Sequence, residues 1–177
     1  SETMVPEPED SYGIAKLAVE RELEVTHRMF GLNYVIFRPH NVYGERQNIG
    51  DKYRNVIGIF MNQIMQGKPM TVFGDGTQTR AFTHIADVAP AIARSIEMPE
   101  SWNTTYNIGA DTPYSVKTLA EKVAGAMGVK PELKHIDPRN EVLHAFSDHG
   151  KVRKQFGQSS PVSLDEGLRR MATWARA

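Results

Sequence analysis

Apolar residues recur at helical spacing in several stretches of the chain, and short β-prone runs lie between these stretches. The clearest pattern predicts a helix over 56–66 that ends at Gly67. Its apolar residues, at positions i, i+3, i+4, i+7 and i+8, are Ile57, Phe60, Met61, Ile64 and Met65. A stripe of this width is typical of a helix that packs one face against a core.

The remaining pattern alternates between helices and strands. Further helices are predicted over 12–30, 86–97, 116–127 and 148–156, and a last helix begins at the capping-box sequence Ser163 to Glu166. Strands are predicted over 33–38, 70–73, 80–84, 105–108 and 133–136. This alternation predicts an α/β fold.

Composition narrows the classes of function. The chain has 177 residues, with 21 Lys and Arg against 21 Asp and Glu, and this zero net charge disfavours nucleic acid as a partner. Its apolar runs fall short of the roughly 20 residues that span a membrane, and no secretory signal is visible. With no cysteine and no H-E-x-x-H arrangement, we expect no metal site, and we expect a cytoplasmic protein.

Glycine-rich phosphate loops do not occur in these 177 residues. The sequence contains no G-x-G-x-x-G and no G-x-x-G-x-x-G, and Gly67-Lys68 is followed by Pro69 rather than completing a Walker A loop. The sequence therefore predicts no phosphate cradle at a strand-to-helix turn.

Tyr12 and Lys16 lie four residues apart on the first predicted helix and therefore share a face. A phenol is a poor base at neutral pH because its pKa is about 10, and a nearby ammonium favours the phenolate. Such a pair can remove a proton from a sugar hydroxyl while hydride leaves the same carbon. Taken alone, the spacing favours a chance i, i+4 pair on a solvated helix face over a catalytic pair.

Three further segments follow the Tyr-x-x-x-Lys element in a fixed order. They are Val35-Ile36-Phe37-Arg38-Pro39-His40-Asn41-Val42-Tyr43-Gly44, Val72-Phe73-Gly74-Asp75-Gly76 and Thr79-Arg80-Ala81-Phe82-Thr83-His84-Ile85-Ala86-Asp87-Val88. This ordered set resembles the extended short-chain dehydrogenase/reductases, and within them the NAD-dependent nucleotide-sugar epimerase/dehydratase family. In appearance it is closest to UDP-glucose 4-epimerase-like members, and the resemblance extends from Tyr12 to the last helix.

The resemblance implies a cofactor side of the site. Tyr12 would be the catalytic base and acid, and Lys16 would stabilise its phenolate and hold the nicotinamide ribose of NAD. Pro39 and His40 would lie against the nicotinamide end. His40 has an ordinary alternative role as a polar residue whose hydrogen bonds are satisfied within the fold.

The resemblance also implies a substrate side. Asn41 and Asn55 would hydrogen-bond the sugar nucleotide near its diphosphate, while Val72 and Phe73 would flank the base, usually uracil. Asn41 as a turn former and Phe73 as a core residue are the ordinary alternatives.

Two arginines would clamp the diphosphate, since guanidinium offers a charged fork to phosphate oxygens. Arg80 follows the glycine turn, and Arg139 lies in the segment Asp137-Pro138-Arg139-Asn140-Glu141-Val142, which resembles a late phosphate-contacting segment of the family. Solvated surface positions are the alternative for both.

Intact members of the family place a glycine-loop half before the tyrosine, so the chain resembles their C-terminal part. We expect one unit, in which 1–43 and 86–110 are trailing elements of a Rossmann-type parallel sheet. Residues 44–85 and 111–177 would form the nucleotide-sugar-binding domain. We expect the chain by itself neither to bind NAD tightly nor to turn substrate over, and to expose an apolar face that favours self-association, as in a homo-oligomer.

The implied function is NAD-dependent 4-epimerisation of a UDP-sugar by transient oxidation at C4. A nucleotide-sugar 4,6-dehydratase or decarboxylase of the same family is the nearest alternative. A non-catalytic nucleotide-sugar-binding module is the alternative from a different class.

Overall fold

The computed structural model describes residues 1–51, 55–139, 143–157 and 160–177. Its helices α1 to α6 are Ser11–Phe30, Val56–Met65, Ile85–Ser95, Val116–Ala126, Gly150–Phe156 and Leu164–Arg176. Its strands β1 to β9 are Val35–Pro39, Val42–Tyr43, Met70–Phe73, Thr79–Ala81, Thr83–His84, Thr104–Ile108, Pro113–Ser115, Leu133–Ile136 and His144–Ala145. Helices and strands alternate and several strand pairs are parallel, which confirms the α/β prediction.

The chain forms two compact units. The first comprises the described residues of Ser1–Arg38, Pro90–Ile108 and Asp148–Gln158. The second comprises those of Pro39–Ala89, Gly109–Ser147 and Ser159–Ala177.

The first unit has a small aromatic core between β1, β6 and α5. β1 pairs with β6, and the rings of Phe37, Tyr106 and Phe156 lie with centroids 5.3–5.8 Å apart. Offset and edge-on arrangements of this kind stabilise beyond simple burial. Burial is the main reason why the pKa of Tyr106 is raised.

Helix α1 is anchored at its ends and by one ion pair rather than by a buried face. The Asp10 carboxylate accepts from the Gly13 amide at 2.6 Å, and Gly31 ends the helix in the left-handed conformation, with φ of 71°. Arg38 of β1 donates to Glu20 at 2.8 Å, a contact that raises the pKa of the arginine. The apolar stripe of this helix is otherwise open, and Ile14 is 56% exposed.

The second unit contains the larger core. It lies between helices α2, α4 and α6 and strand β3. The predicted apolar stripes at 57–65 and 116–127 contribute their buried residues to it. Its completely buried side chains are Ile57, Met61, Leu119, Ala120, Val123, Ala124, Val72 and Met171. Met65, at the end of the first stripe, is instead 49% exposed.

Strand pairing in the second unit brings its loops to the ends of short strands. β3 and β8 are parallel, from Met70 opposite Leu133 to Phe73 opposite Ile136. β4 lies between β7, which is antiparallel to it, and β9, which is parallel. β2 pairs with β5 in parallel.

Three sequence predictions need correction. The predicted strand over 80–84 is two strands, because β4 and β5 pair with different neighbours. The capping box of α6 is half formed: Ser163 Oγ accepts from the Glu166 amide, but the Glu166 carboxylate binds Arg169 and Arg170. The predicted helix over 148–156 begins at Gly150.

Candidate active site

Tyr12 and Lys16 lie on the first turns of α1 in the first unit. Tyr12 is 65% exposed, and the Lys16 ammonium lies 5.4 Å from the centroid of its ring. Gly13 allows the preceding segment to approach the helix, because a Cβ at this position would lie 2.9 Å from Pro8 Cβ. The predicted pair therefore presents a phenol and an ammonium together to solvent.

Residues 39–41 leave β1 and enter the second unit. Asn41 adopts a positive φ of 36°, and its side-chain amide donates to the Ala81 carbonyl at 2.9 Å. The amide of Thr83 donates to the Asn41 carbonyl at 3.3 Å. Pro39 is exposed and His40 is half-buried. Both the side chain and the backbone carbonyl of Asn41 are thus hydrogen-bonded to the β4–β5 segment.

Asn55 stands at the start of α2. It has a positive φ of 63°, and its amide nitrogen donates to the carbonyl of Val42. Its Oδ1 is buried and has no hydrogen-bond partner among the described residues. A buried acceptor without a partner costs free energy.

Phe73 and Arg139, two of the predicted site residues, contact each other directly. The Arg139 guanidinium lies 3.6 Å from the centroid of the half-buried Phe73 ring, in the geometry of a cation–π contact. Val72 is completely buried. Strand alternation directs its side chain into the core and the side chain of Phe73 away from it. That Val72 and Phe73 flank a base remains a prediction.

A small pocket of about 100 Å³ opens beside this pair. Its lining residues are Phe73, Gly74, Asp75, Gln78, Pro138, Arg139 and Leu143. Gly74 and Gly76 have positive φ, which lets the turn between β3 and β4 form one wall. Hydrogen bonds from the amide and hydroxyl of Thr77 lower the pKa of Asp75, so its carboxylate stays ionised beside the arginine.

The Arg80 side chain extends from β4 to Leu143, the residue before β9. Its guanidinium donates to the Thr79 carbonyl at 2.8 Å and to the Leu143 carbonyl at 3.2 Å, and Leu143 lines the pocket. Arg139 and Phe73 therefore line the pocket directly, and Arg80 is joined to it through the carbonyl of Leu143. An aromatic face with two guanidinium groups suits a planar group that carries negative charge.

Sequence reasoning missed two neighbours of the predicted residues. Gln78 donates to the Phe73 carbonyl at 3.1 Å and lines the pocket, and its position two residues after the glycine turn could have indicated it. Ser147 lies 2.8 Å from His40 Nε2, a contact across 107 residues that no local pattern could show. Asn140, Glu141 and Val142 of the predicted phosphate-contacting segment lie outside the described residues.

Metal and membrane features are not found in the part of the chain that the structure describes. Within those residues no group of three His, Asp or Glu side chains could hold a metal ion. None of the described helices is long and apolar enough to cross a bilayer.

Comparison with known proteins finds similarity to nucleotide-sugar epimerases. The model of the NAD dependent epimerase/dehydratase family matches residues 1–109, well over half of the chain. UDP-glucose 4-epimerase of Mycolicibacterium smegmatis is 29% identical over 177 residues, covering 99% of this chain and 56% of that protein.

Solved structures agree with this match. The structure of UDP-glucose 4-epimerase with UDP-glucose from Thermotoga maritima has a TM-score of 0.88 at 33% identity, covering 99% of this chain and 56% of that one. The NAD complex of UDP-glucose 4-epimerase from Thermus thermophilus has a TM-score of 0.88 at 28% identity, with 99% and 57% covered. The chain spans about half the length of the curated relatives it matches.

Proposed function

The chain belongs to the NAD dependent epimerase/dehydratase family, and on this premise we propose that it carries the nucleotide-sugar site of a UDP-sugar 4-epimerase. One observation carries the proposal: Phe73 and Arg139 line one pocket in contact with each other, and the Arg80 guanidinium is hydrogen-bonded to Leu143, which lines the same pocket. The aromatic face suits the base of a nucleoside diphosphate, and the guanidinium groups suit its diphosphate.

In this proposal the second unit holds the substrate. Arg80 and Arg139 bind the diphosphate, and Phe73 lies against the base. Because Arg139 covers the Phe73 ring in the structure, its guanidinium must turn from the ring towards the phosphates when the nucleotide enters. Asn41 and Asn55 hydrogen-bond the substrate near the diphosphate, and the buried Oδ1 of Asn55 supplies an acceptor.

The acid–base chemistry belongs to α1. Tyr12 removes the proton of the C4 hydroxyl and later returns a proton, and the Lys16 ammonium stabilises negative charge on the phenol oxygen. NAD, when bound, would supply the redox chemistry, which is hydride transfer from C4 and back to its opposite face. Between the loss of the hydride and its return, the 4-keto sugar rotates in the site.

The residues present fit one end of NAD. The exposed Tyr12 and Lys16 of the first unit offer a hydroxyl and an ammonium to a ribose. A role of Pro39 against the nicotinamide is what the family resemblance implies. No glycine-rich phosphate loop occurs in the 177 residues. We therefore expect these residues by themselves to bind the nucleotide sugar, to bind NAD weakly and not to turn over.

Other chemistry of the same family is the second candidate. The family unites epimerases and dehydratases, and the Tyr12–Lys16 pair serves C4 oxidation in a dehydratase or decarboxylase equally well. Those reactions need a further acid–base pair. A binding module without catalysis would use the second unit alone.

Calorimetric titration with UDP-glucose and a coupled assay for UDP-galactose formation test the proposal together. We expect UDP-glucose to bind to the 177-residue chain and Tyr12→Phe to leave that binding unchanged. Binding of UDP-glucose no weaker in Arg80→Ala than in the exposed-surface control Arg169→Ala would contradict the site. Epimerisation by the 177 residues with added NAD would contradict the expected lack of turnover and exclude the binding module.

A further inference from the structure

The turn between β3 and β4 brings a carboxylate to the pocket beside Phe73. Asp75 is the one acidic side chain among the described residues that line this pocket, and the Phe73 ring and the Arg139 guanidinium line it too. The proposed function gives Phe73 to the base and Arg139 to the diphosphate, and it has no role for Asp75. A carboxylate repels phosphate, so Asp75 must face another part of the bound molecule.

Hydrogen bonds orient the Asp75 carboxylate through one of its two oxygens. The amide and the hydroxyl of Thr77 donate to Oδ1 at 2.9 and 2.7 Å. These bonds lower the pKa of Asp75, so the carboxylate is ionised at neutral pH. No hydrogen bond between the described residues ends on Oδ2. The exposed Asp75 therefore presents a fixed, charged acceptor to a molecule in the pocket.

We infer that Asp75 is a specificity-determining residue, whose Oδ2 accepts hydrogen bonds from the ribose hydroxyls of the nucleotide and so selects ribonucleoside over deoxyribonucleoside diphosphates. This inference rests on the proposed function, because it requires a nucleoside diphosphate in the pocket. It adds a choice of nucleotide sugar that the proposed function leaves open.

Of the three parts of a nucleoside diphosphate, the ribose suits a carboxylate best. Like charge excludes the diphosphate. Uracil presents its N3–H between two carbonyl oxygens, so a carboxylate that accepts from this N–H also meets two acceptors. The 2′- and 3′-hydroxyls are adjacent donors without carbonyl groups beside them. Dinucleotide-binding folds use the same contact, in which an acidic side chain accepts from a ribose hydroxyl.

The place of Asp75 in the chain agrees with this assignment. It lies two residues after Phe73, between Gly74 and Gly76, whose positive φ values of 61° and 78° allow a tight turn. Two peptide units separate the Cα atoms of Phe73 and Asp75 by at most about 7 Å, so one nucleoside can span both side chains. Because the ribose joins the base to the diphosphate, it lies next to a base held on Phe73.

Titration calorimetry of the 177-residue chain with UDP, 2′-deoxy-UDP and 3′-deoxy-UDP measures the selection. The readout is the Kd of each deoxynucleotide divided by the Kd of UDP, because the contributions of the base and the diphosphate cancel in this ratio. One hydrogen bond from the ribose predicts a ratio of about three to ten in wild type for at least one deoxynucleotide.

Two variants remove Oδ2 and keep an acceptor for the turn. Asp75→Asn retains an oxygen for the amide of Thr77, and in Asp75→Ser the hydroxyl accepts in the same kind of turn. We expect the ratio to fall to about one in both. The control Asp165→Asn removes an equal charge from an exposed position on α6 and should keep the wild-type ratio.

A wild-type ratio of one for both deoxynucleotides overturns the inference, and so does a ratio that both Asp75 variants leave unchanged. UDP methylated at N3 of uracil separates the ribose from the base. We expect the methyl group to change binding equally in wild type and in Asp75→Asn. A methyl group that weakens binding to wild type alone would place Asp75 on the base and overturn the ribose assignment.

Failure of wild type to bind UDP would contradict the proposed function, and the inference would fall with it. Binding of UDP with unchanged ratios in the Asp75 variants would contradict the inference alone.

Discussion

The Arg139 guanidinium rests 3.6 Å from the centroid of Phe73 at the edge of the pocket. A charged hydrogen bond to phosphate contributes about 1.5–3 kcal/mol, so Arg139→Ala should weaken UDP binding by about tenfold to a hundredfold. Arg139→Lys should recover part of this loss, because lysine keeps the charge but lacks the planar fork. Titration calorimetry with UDP measures both variants.

The matched control is Arg169→Ala, which removes an exposed arginine of α6 that binds Glu166. It should leave UDP affinity unchanged. If Arg139→Ala binds UDP as tightly as this control does, Arg139 does not contact the diphosphate.

Asp87 provides a pH-dependent test of the packing between α3 and the segment before α6. Its carboxylate accepts from the Val162 amide at 3.1 Å, and burial raises its pKa above 3.8. The folded state therefore binds this proton more tightly than the unfolded state does, and its stability falls as the pH rises through the raised pKa.

Asp87→Asn removes this titration while keeping an acceptor for Val162. Denaturant unfolding from about pH 4 upwards should show wild type losing free energy of unfolding relative to Asp87→Asn, and then a constant difference. A difference that grows in favour of wild type with increasing pH would show that burial does not dominate at Asp87.

At the scale of elements, two helical glycines have opposite environments. A Cβ at Gly167 of α6 would lie 2.1 Å from the hydroxyl of buried Tyr43, whereas a Cβ at Gly125 of α4 meets no atom within 4 Å. Gly167→Ala should therefore lower the free energy of unfolding by about 1–3 kcal/mol through overpacking. Gly125→Ala should raise it by about 0.5–1 kcal/mol through helix propensity.

Denaturant unfolding of both variants measures this contrast. The same substitution is made on two helices of one unit, so its intrinsic effect on helix formation is shared. Equal effects at the two positions would refute the close approach of α6 to Tyr43.

Elements with long patterns were predictable from the sequence, and short ones were not. The stripes at 57–65 and 116–127 gave α2 and α4 because buried faces repeat at helical spacing. β2 and β9 have two residues each, too few for an alternation to appear, and they exist because other strands pair with them.

The candidate site was predictable as residue types and not as contacts. Arg80 and Arg139 came from a family resemblance, whereas the contact of Arg80 with Leu143 and that of Arg139 with Phe73 join segments far apart in sequence. Ser147 had no sequence signal at all, because its partner is 107 residues away. The sequence also did not tell which of the neighbours Val72 and Phe73 faces the core, and the structure buries Val72.

At the scale of the whole molecule, the open face of α1 predicts self-association. Ile14, Val19, Met29 and Phe30 are each more than half exposed. Exposed apolar residues grouped on one element mark an interaction surface, and a second copy of this chain is the partner available in a pure sample. Analytical ultracentrifugation of wild type should show dimers or larger species at micromolar to millimolar concentration.

Ile14→Glu should weaken this association by placing a charge on the open face. Met65→Glu places the same charge at an exposed position on α2 and should leave association unchanged. A monomer at every concentration for wild type would contradict the prediction.

Thermal unfolding of the 177-residue chain with UDP-glucose, with UDP and with NAD⁺ tests the central claim, a nucleotide-sugar site in the second unit. A ligand that binds only the folded state at a hundredfold excess over its Kd should raise the Tm by roughly 5–10 °C. We predict such a rise with UDP-glucose and UDP, little or none with NAD⁺, and its loss in Arg139→Ala. No rise with UDP-glucose or UDP, or an equal rise in Arg139→Ala, would contradict the account.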